Sequence, residues 1–401
     1  LNIILMMNKF PANSPKWLIK KINEKGGKVT FYDFMDIVLN DPNNGYYGSG
    51  KANLGINGDF VTSPSLTGDF SYFLSIQIEE WLEQIKNSTK FKGDFNIIEF
   101  GSGKGCLIKG IIHYFFINNK KILKDISFKI IELNPGMKII QKNNLEEFLN
   151  YGVDISWIKL EDFEDKSING IIIANEVLDA FPVERIQYFQ GNIYQQNVSF
   201  NEKIGELFLS KNNLDENLKR KINYLRNQFG INIPPEDAPE GWTTELHVHQ
   251  SKWLKQIYKK LNVGILLIID YAIESKKYYS SQKYDGTLLA YKNQKAINDF
   301  LFSPGDCDLT CHICSDILIE KAKDIGFGFN GIVKQGEALL LLGLAEKLYD
   351  IQNSYQNDIS KALLKREALL RLVDPLCLGD FKWFVFDVAE KGFNFKSKCI
   401  N

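Results

Sequence analysis

The chain has 401 residues, 44% of them hydrophobic, and a formal net charge of -1 from 48 Lys and Arg against 49 Asp and Glu. This length can bury a substantial core, and the matched charges exclude a general polyanion or nucleic-acid binder. No apolar run reaches the roughly 18 residues of a membrane span, because GILLIID (264–270) and ALLLLGLA (338–345) have only the length of buried elements.

In chain order, residues 1–95 read as a mostly helical N-terminal cap segment. Trp17, Leu18 and Ile22, and later Phe73, Ile76, Ile78 and Trp81, supply its apolar faces, and a glycine-rich stretch interrupts it from Gly45 to Gly58. Within that stretch GDFVTSP (58–64) is a loop that can cover a ligand through Asp59, Phe60 and Thr62. The segment NIIEFGSGKG (96–105) then carries the acidic Glu99 out of an apolar strand into a turn of Gly101, Gly103 and Gly105. Leu107, Ile108, Ile111, Ile112 and Phe115 follow at helical spacing. Such a turn binds dinucleotide pyrophosphates when it reads GxGxxG or GxGxxA, but Cys106 stands at the position after its last glycine. A buried carboxylate needs a donor or a cation. The ammonium and sulfonium of S-adenosylmethionine (SAM) suit Glu99, whereas a pyrophosphate is repelled by it.

A second strand, SFKIIEL (127–133), ends in Glu132, placed to accept ribose hydroxyls, and Pro135 opens a helix with Met137, Ile140 and Leu145 inward. Asp162, after a third strand near Ile155–Ile158, is a candidate for the adenine amino group or an exposed charge. A fourth strand runs into Asn175, Glu176, Asp179 and Pro182. Its two carboxylates suit a planar guanidinium, and they equally suit a helix N-terminus. From 184 to about 250 an insertion is expected, with a hairpin around Gly191-Asn192 and a lysine-rich helix near 215–228, lying over the sheet edge. Beyond it come a helix at Trp253–Leu261, a strand at Gly264–Asp270, a long helix at Asp350–Val373 and a closing strand at Phe381–Val388.

The order of GYYGSG (45–50), GDFVTSP (58–64), EFGSGKG (99–105), IELNPGMKIIQ (131–141), ANEVLDAFPV (174–183), LLIIDYA (266–272) and SPGDCDLTCHI (303–313) resembles the MidA-like SAM-dependent methyltransferases over about residues 30–390. That family includes the mitochondrial complex I assembly methyltransferase. The resemblance implies an α/β Rossmann-like methyltransferase sheet with an N-terminal helical cap and a large insertion after the fourth strand, the catalytic domain spanning 96–401. It also implies SAM as cofactor and methyl transfer to a protein arginine, with a respiratory complex I subunit as the type of target. Glu176 and Asp179 then take the catalytic role. Glu99, Gly101, Gly103, Gly105, Glu132, Asp162, Asp59, Thr62 and Asn175 take the cofactor. A homodimer stands as a candidate assembly.

Some positions depart from the family pattern. Ser102 and Lys104 replace the residues of a GPGRG turn, Ser65 follows TSP where glutamate is common, and Gln294 and Ser315 stand where His and Asp or Phe are usual. Cys307, Cys311 and Cys314 spell CxxxCxxC around His312, a spacing that also serves iron-sulfur clusters, but reduced thiols fit a cytosolic protein and no metal is expected. Leu1–Met7 lacks a basic leader and a cleavage site, which leads to a bacterial cytoplasmic enzyme, and Met6 and Met7 suggest an alternative start or an upstream fragment. Two other functions are compatible with the sequence: an oxidoreductase using a nucleotide cofactor, and a SAM-binding assembly factor with little catalysis.

Overall fold

A computed structural model describes residues 14–55, 58–91, 93–354 and 358–400, with the backbone alone at 352–354. The segment Leu1–Met7 lies outside the described residues. The chain divides into two units, one built from the described residues up to Ala52 with Pro182–Val248 and Lys276–Cys311, the other from Asn53–Phe181, His249–Ser275 and the chain from His312 onward.

The second unit is built on a seven-stranded sheet. Its strands are β1 (Phe95–Phe100), β2 (Ile126–Ile131), β3 (Ile155–Trp157), β4 (Ile168–Asn175), β5 (Leu261–Asp270), β6 (Gly328–Lys334) and β7 (Lys382–Val388), in the order β6-β7-β5-β4-β1-β2-β3. The run from β5 to β3 is parallel, and β7 is antiparallel to both β5 and β6. Parallel strands covered on both faces are apolar on both faces, and every residue of β4 is buried. Alternation sorts the side chains. Ile97 joins the cluster containing Leu107, Ile108, Ile111 and Phe115 of α2 (Cys106–Asn118) and Phe70, Phe73 and Trp81 of α1 (Gly68–Lys86). Ile98 and Phe100 join the opposite cluster with Ile172, Trp253 and Leu254, the last two on α4 (Gln250–Lys260). On the α2 side, α3 (Pro135–Asn150) buries Met137 and Leu145, with Pro135 at its first turn, while Ile140 is only half-buried.

The expected cap segment therefore contributes to both units, because α1 covers one face of the seven-stranded sheet. The strand β6 was not expected. Its GFNGIVK sequence has two glycines and a register shift between Phe329 and Gly331, which blur the period of two. In place of a single helix at Asp350–Val373 there are helices Leu344–Ser354 and Ile359–Val373, and residues 355–357 between them lie outside the described residues.

The first unit is mainly antiparallel. Strands Lys28–Thr30, Asn192–Asn201, Glu184–Phe189 and Thr243–Leu246 follow one another in a sheet, and Glu206–Asn213 pairs with Asn192–Asn201. Phe189 pairs with Asn192, so the hairpin turns on Gln190-Gly191, one residue earlier than expected, and both have positive φ (49° and 77°). The lysine-rich helix occupies Glu216–Phe229. In GYYGSG a Cβ at Gly48 would fall 2.2 Å from the Asp41 carbonyl oxygen, so only glycine fits, and Tyr47 donates its hydroxyl to the buried Asp308 at 2.8 Å. Cys307, Cys311 and Cys314 are buried, and among the described residues no group of three or more His, Cys, Asp or Glu is arranged to hold a metal.

Candidate active site

The chain builds β1, β2 and β3 outward in one direction and then returns to place β4 on the other side of β1. In open α/β sheets the crevice at such a reversal, beyond the carboxyl ends of the strands, is where ligands bind. Register fixes what lies there. Phe100 pairs with Ala174 and Ile269 with Asn175, so the glycine turn after β1, the NEVLD turn after β4 and Asp270 at the end of β5 occupy one edge side by side.

The glycine turn is as tight as its sequence predicts. Gly101, Gly103 and Gly105 have φ of +57°, +51° and +82°, and a Cβ at Gly103 would lie 2.9 Å from Leu54 Cδ1. Glu99 is 3% exposed and shares a sheet face with Ile97, the face covered by α2. Its Oε2 accepts from Ser102 Oγ at 2.5 Å and from the Ile108 amide in the first turn of α2 at 3.1 Å. The donors sought for this carboxylate in a ligand are thus supplied first by its own turn, which also explains how serine serves at 102. Burial pushes the Glu99 pKa up to about 7, against those two hydrogen bonds and with Glu132 adding to the rise. Lys104 donates to the Leu54 carbonyl at 2.7 Å and so braces the turn.

Glu132, one residue beyond β2, is buried. It accepts from the Asn134 amide at 3.0 Å and from Gln141 Nε2 at 2.9 Å, and burial raises its pKa. Gln141, on α3, is fully buried and was not among the expected site residues. Its Nε2 also reaches the Gly103 carbonyl at 2.9 Å, while its Oε1 accepts from Trp157 Nε1 at 2.8 Å. One side chain thereby ties the acid after β2 to the glycine turn after β1. Its position at the second turn of α3, inward with Met137 and Leu145, was the available signal.

Asp162 is exposed and accepts locally from the Lys159 amide at 3.2 Å. Asp59 is buried, and Thr62 caps the short helix Ser63–Leu66. Ser65 completes that cap: its amide donates to Thr62 Oγ1 at 3.3 Å and its Oγ accepts from the Thr62 amide at 2.9 Å. The serine that departs from the family pattern is therefore a structural part of the loop. Of the other two departures, Gln294 sits in the exposed turn of the hairpin Leu289–Lys292/Lys295–Ile297 with φ +60°, and Ser315 is buried at the first position of α5 (Ser315–Ile325).

After β4 the backbone is strained. Glu176 has φ +54°, a conformation that costs a non-glycine residue about 1–3 kcal/mol and persists where neighbours enforce it. Its amide donates to the Ile269 carbonyl at 2.8 Å. Asp270 is fully buried, and its Oδ2 accepts from the amides of Leu178 (2.9 Å) and Asp179 (3.2 Å). Burial first, then Asp179 and Glu176, push its pKa well above the usual carboxylate range. Asn175 donates to Glu176 Oε1 at 3.1 Å, and its own Oδ1 is buried with no hydrogen-bond partner among the described residues. Val177 packs against Gly101, where a Cβ would come within 3.2 Å. Phe181, closing the turn, meets Trp253, which also meets Phe100.

A family model described as S-adenosyl-L-methionine-dependent methyltransferase matches residues 73–333, well over half of the chain. The chain belongs to this methyltransferase family. Among curated relatives, the mitochondrial protein arginine methyltransferase NDUFAF7 of Homo sapiens is 26% identical over 406 residues, covering 93% of this chain and 84% of the relative. The homologue of that protein in Caenorhabditis elegans is 26% identical over 358 residues, covering 83% and 77%. Among solved structures, a Burkholderia thailandensis protein bound to S-adenosyl-homocysteine superposes with a TM-score of 0.80 at 24% identity, over 96% of this chain and 93% of that one. A native crystal structure from the same organism gives 0.78 at 23%, over 96% and 92%. These likenesses fit the α/β methyltransferase fold described above.

The residues of this methyltransferase fit its cofactor. The left-handed glycines bring backbone, free of Cβ atoms, to the switch point, and the acceptors there are the carboxyl oxygens of Glu132 and Asn175 Oδ1, which has no partner among the described residues. That set suits hydroxyl and ammonium donors, in keeping with SAM, and Cys106 stands where the glycine turn of dinucleotide sites carries Gly or Ala.

Proposed function

We propose that the chain transfers a methyl group from SAM to an arginine side chain of a protein. The observation that carries this reading is the convergence of Glu176, Asp179 and Asp270 beside the glycine turn, since three carboxylates at one sheet edge favour a cation. A guanidinium is cationic at every physiological pH, planar, and suited to carboxylate pairs. The printed names of the relatives support the same choice. Bound SAM supplies a methyl group activated on sulfonium. The protein's part is alignment and charge. Holding acceptor and donor in line can contribute up to roughly 7–11 kcal/mol of rate enhancement. Glu176 and Asp179 hold the guanidinium, confine its positive charge to the nitrogens away from the attacking one, and receive the proton that leaves as the nitrogen is methylated. Glu132 accepts from the ribose hydroxyls, Asn175 Oδ1 takes a donor of the cofactor, and Asp59 and Thr62 shape the covering loop.

The substrate class is a respiratory complex I subunit, a reading supported by the motif resemblance, and the cytoplasmic location expected from the sequence stands within this proposal beside relatives named as mitochondrial. Mass spectrometry of the complex I catalytic-core subunit, with and without the gene for this chain, tests it. Methylated arginine present only with the gene is the expected result, and an unchanged pattern contradicts it.

A further inference from the structure

We propose that Asp270 is the positioning residue of this site: by accepting the Leu178 and Asp179 amides together it fixes the strained turn that aims Glu176 and Asp179 at the cationic substrate. The inference rests on the arginine reading above. Beyond Asn175 the backbone bends with a non-glycine residue, Glu176, at φ +54°. Two anchors hold it, and both come from the end of β5: the Ile269 carbonyl takes the Glu176 amide, and Asp270 Oδ2 takes the next two amides but one. Asp270 Oδ1 is itself fixed by the Tyr271 amide at 2.8 Å. A carboxylate this deep has no exposed surface and does not itself meet a protein substrate, so its effect on catalysis passes through the turn. The groups facing it are the Asp179 and Glu176 carboxylates and the amides of Leu178, Asp179 and Tyr271. Adding a third negative charge here is unfavourable until a cation arrives, which couples substrate binding to the ionisation of the cluster.

The test uses the full chain saturated with S-adenosyl-homocysteine and ethylguanidinium as the probe. In the unaltered protein, ethylguanidinium binds more tightly as pH rises. Asp270→Asn keeps an acceptor oxygen but removes the charge. It leaves S-adenosyl-homocysteine affinity within about twofold, weakens ethylguanidinium by about tenfold or more and flattens its pH dependence. Loss of both affinities in parallel with an unchanged pH profile, or ethylguanidinium binding that does not change, overturns the inference. If the unaltered protein fails to bind the probe, the cation reading itself falls, and the inference with it. A second measurement needs no variant: the Leu178 and Asp179 amides exchange slowly with solvent deuterium and slow further with ethylguanidinium bound. Fast exchange in both states contradicts their capture by Asp270.

Discussion

At the level of single residues, the two properties that make the site are backbone handedness and buried charge. Gly103 combines a left-handed φ with a Leu54 methyl 2.9 Å from where a Cβ would lie, which a substitution would have to push aside. Gly103→Ala should cost about 1–2 kcal/mol from backbone alone, with Leu54 adding to it, and should weaken SAM binding by about tenfold. Thermal unfolding and calorimetric titration measure both. Glu99 makes a pH prediction. Its folded pKa of about 7 lies above its ordinary 4.5, so the native state holds the proton longer than the unfolded chain does. Stability should therefore fall as pH rises from about 4.5 to about 7 and level off above. Glu99→Gln preserves the acceptor for Ser102 and Ile108 and should flatten that part of the profile. Some slope should remain from Glu184 and Asp387, whose pKa values burial raises to about 7 and about 6, and from Asp270 and Glu132, which burial also raises. An unchanged slope in the variant would show that Glu99 is ionised throughout. Glu99 was legible in the sequence as an anomaly, an acid inside an apolar strand. What resolves it was not legible, because the Ser102 hydroxyl and the Ile108 amide meet it only once the turn and α2 have formed.

Among elements, the connections between neighbours decide whether the edge is rigid. Gln141 links α3, β2, β3 and the glycine turn through three hydrogen bonds of 2.8–2.9 Å. Gln141→Leu leaves Trp157 Nε1, Glu132 and the Gly103 carbonyl each short of a partner, at about 1–3 kcal/mol for each group that stays buried. The expected result is a lower melting temperature together with weaker S-adenosyl-homocysteine binding, while a variant that loses neither would show that the link is incidental. The elements of the site were the most readable part of the sequence. Period and punctuation agree there: a short apolar strand, three glycines, then Leu107, Ile108, Ile111, Ile112 and Phe115, all buried on one helix. The pattern fails where a second signal intrudes. Leu261 reads as the end of a helix by its spacing from Trp253 and Ile257, yet it begins β5, since an apolar residue satisfies both periods. An acid that ends a strand, as Asp270 does, looks the same in sequence whether it caps a loop or anchors a neighbouring turn.

For the whole molecule, the strand order creates the site. Because β4 returns to the far side of β1, an anionic turn is set beside a glycine turn, and no single motif encodes that adjacency. The family match over residues 73–333 agrees with SAM as the cofactor, and the crevice at the strand reversal is where open α/β sheets hold their ligands. Calorimetry with SAM and with NAD separates the readings, binding being expected for SAM alone. The most direct test is methyl transfer by the double variant Glu176→Gln, Asp179→Asn. S-adenosyl-homocysteine affinity should stay within about twofold, because the glycine turn and Glu132 are untouched, while arginine methylation of the complex I catalytic-core subunit should fall by at least about a hundredfold. Full methylation by that variant, with cofactor affinity unchanged, would contradict the account.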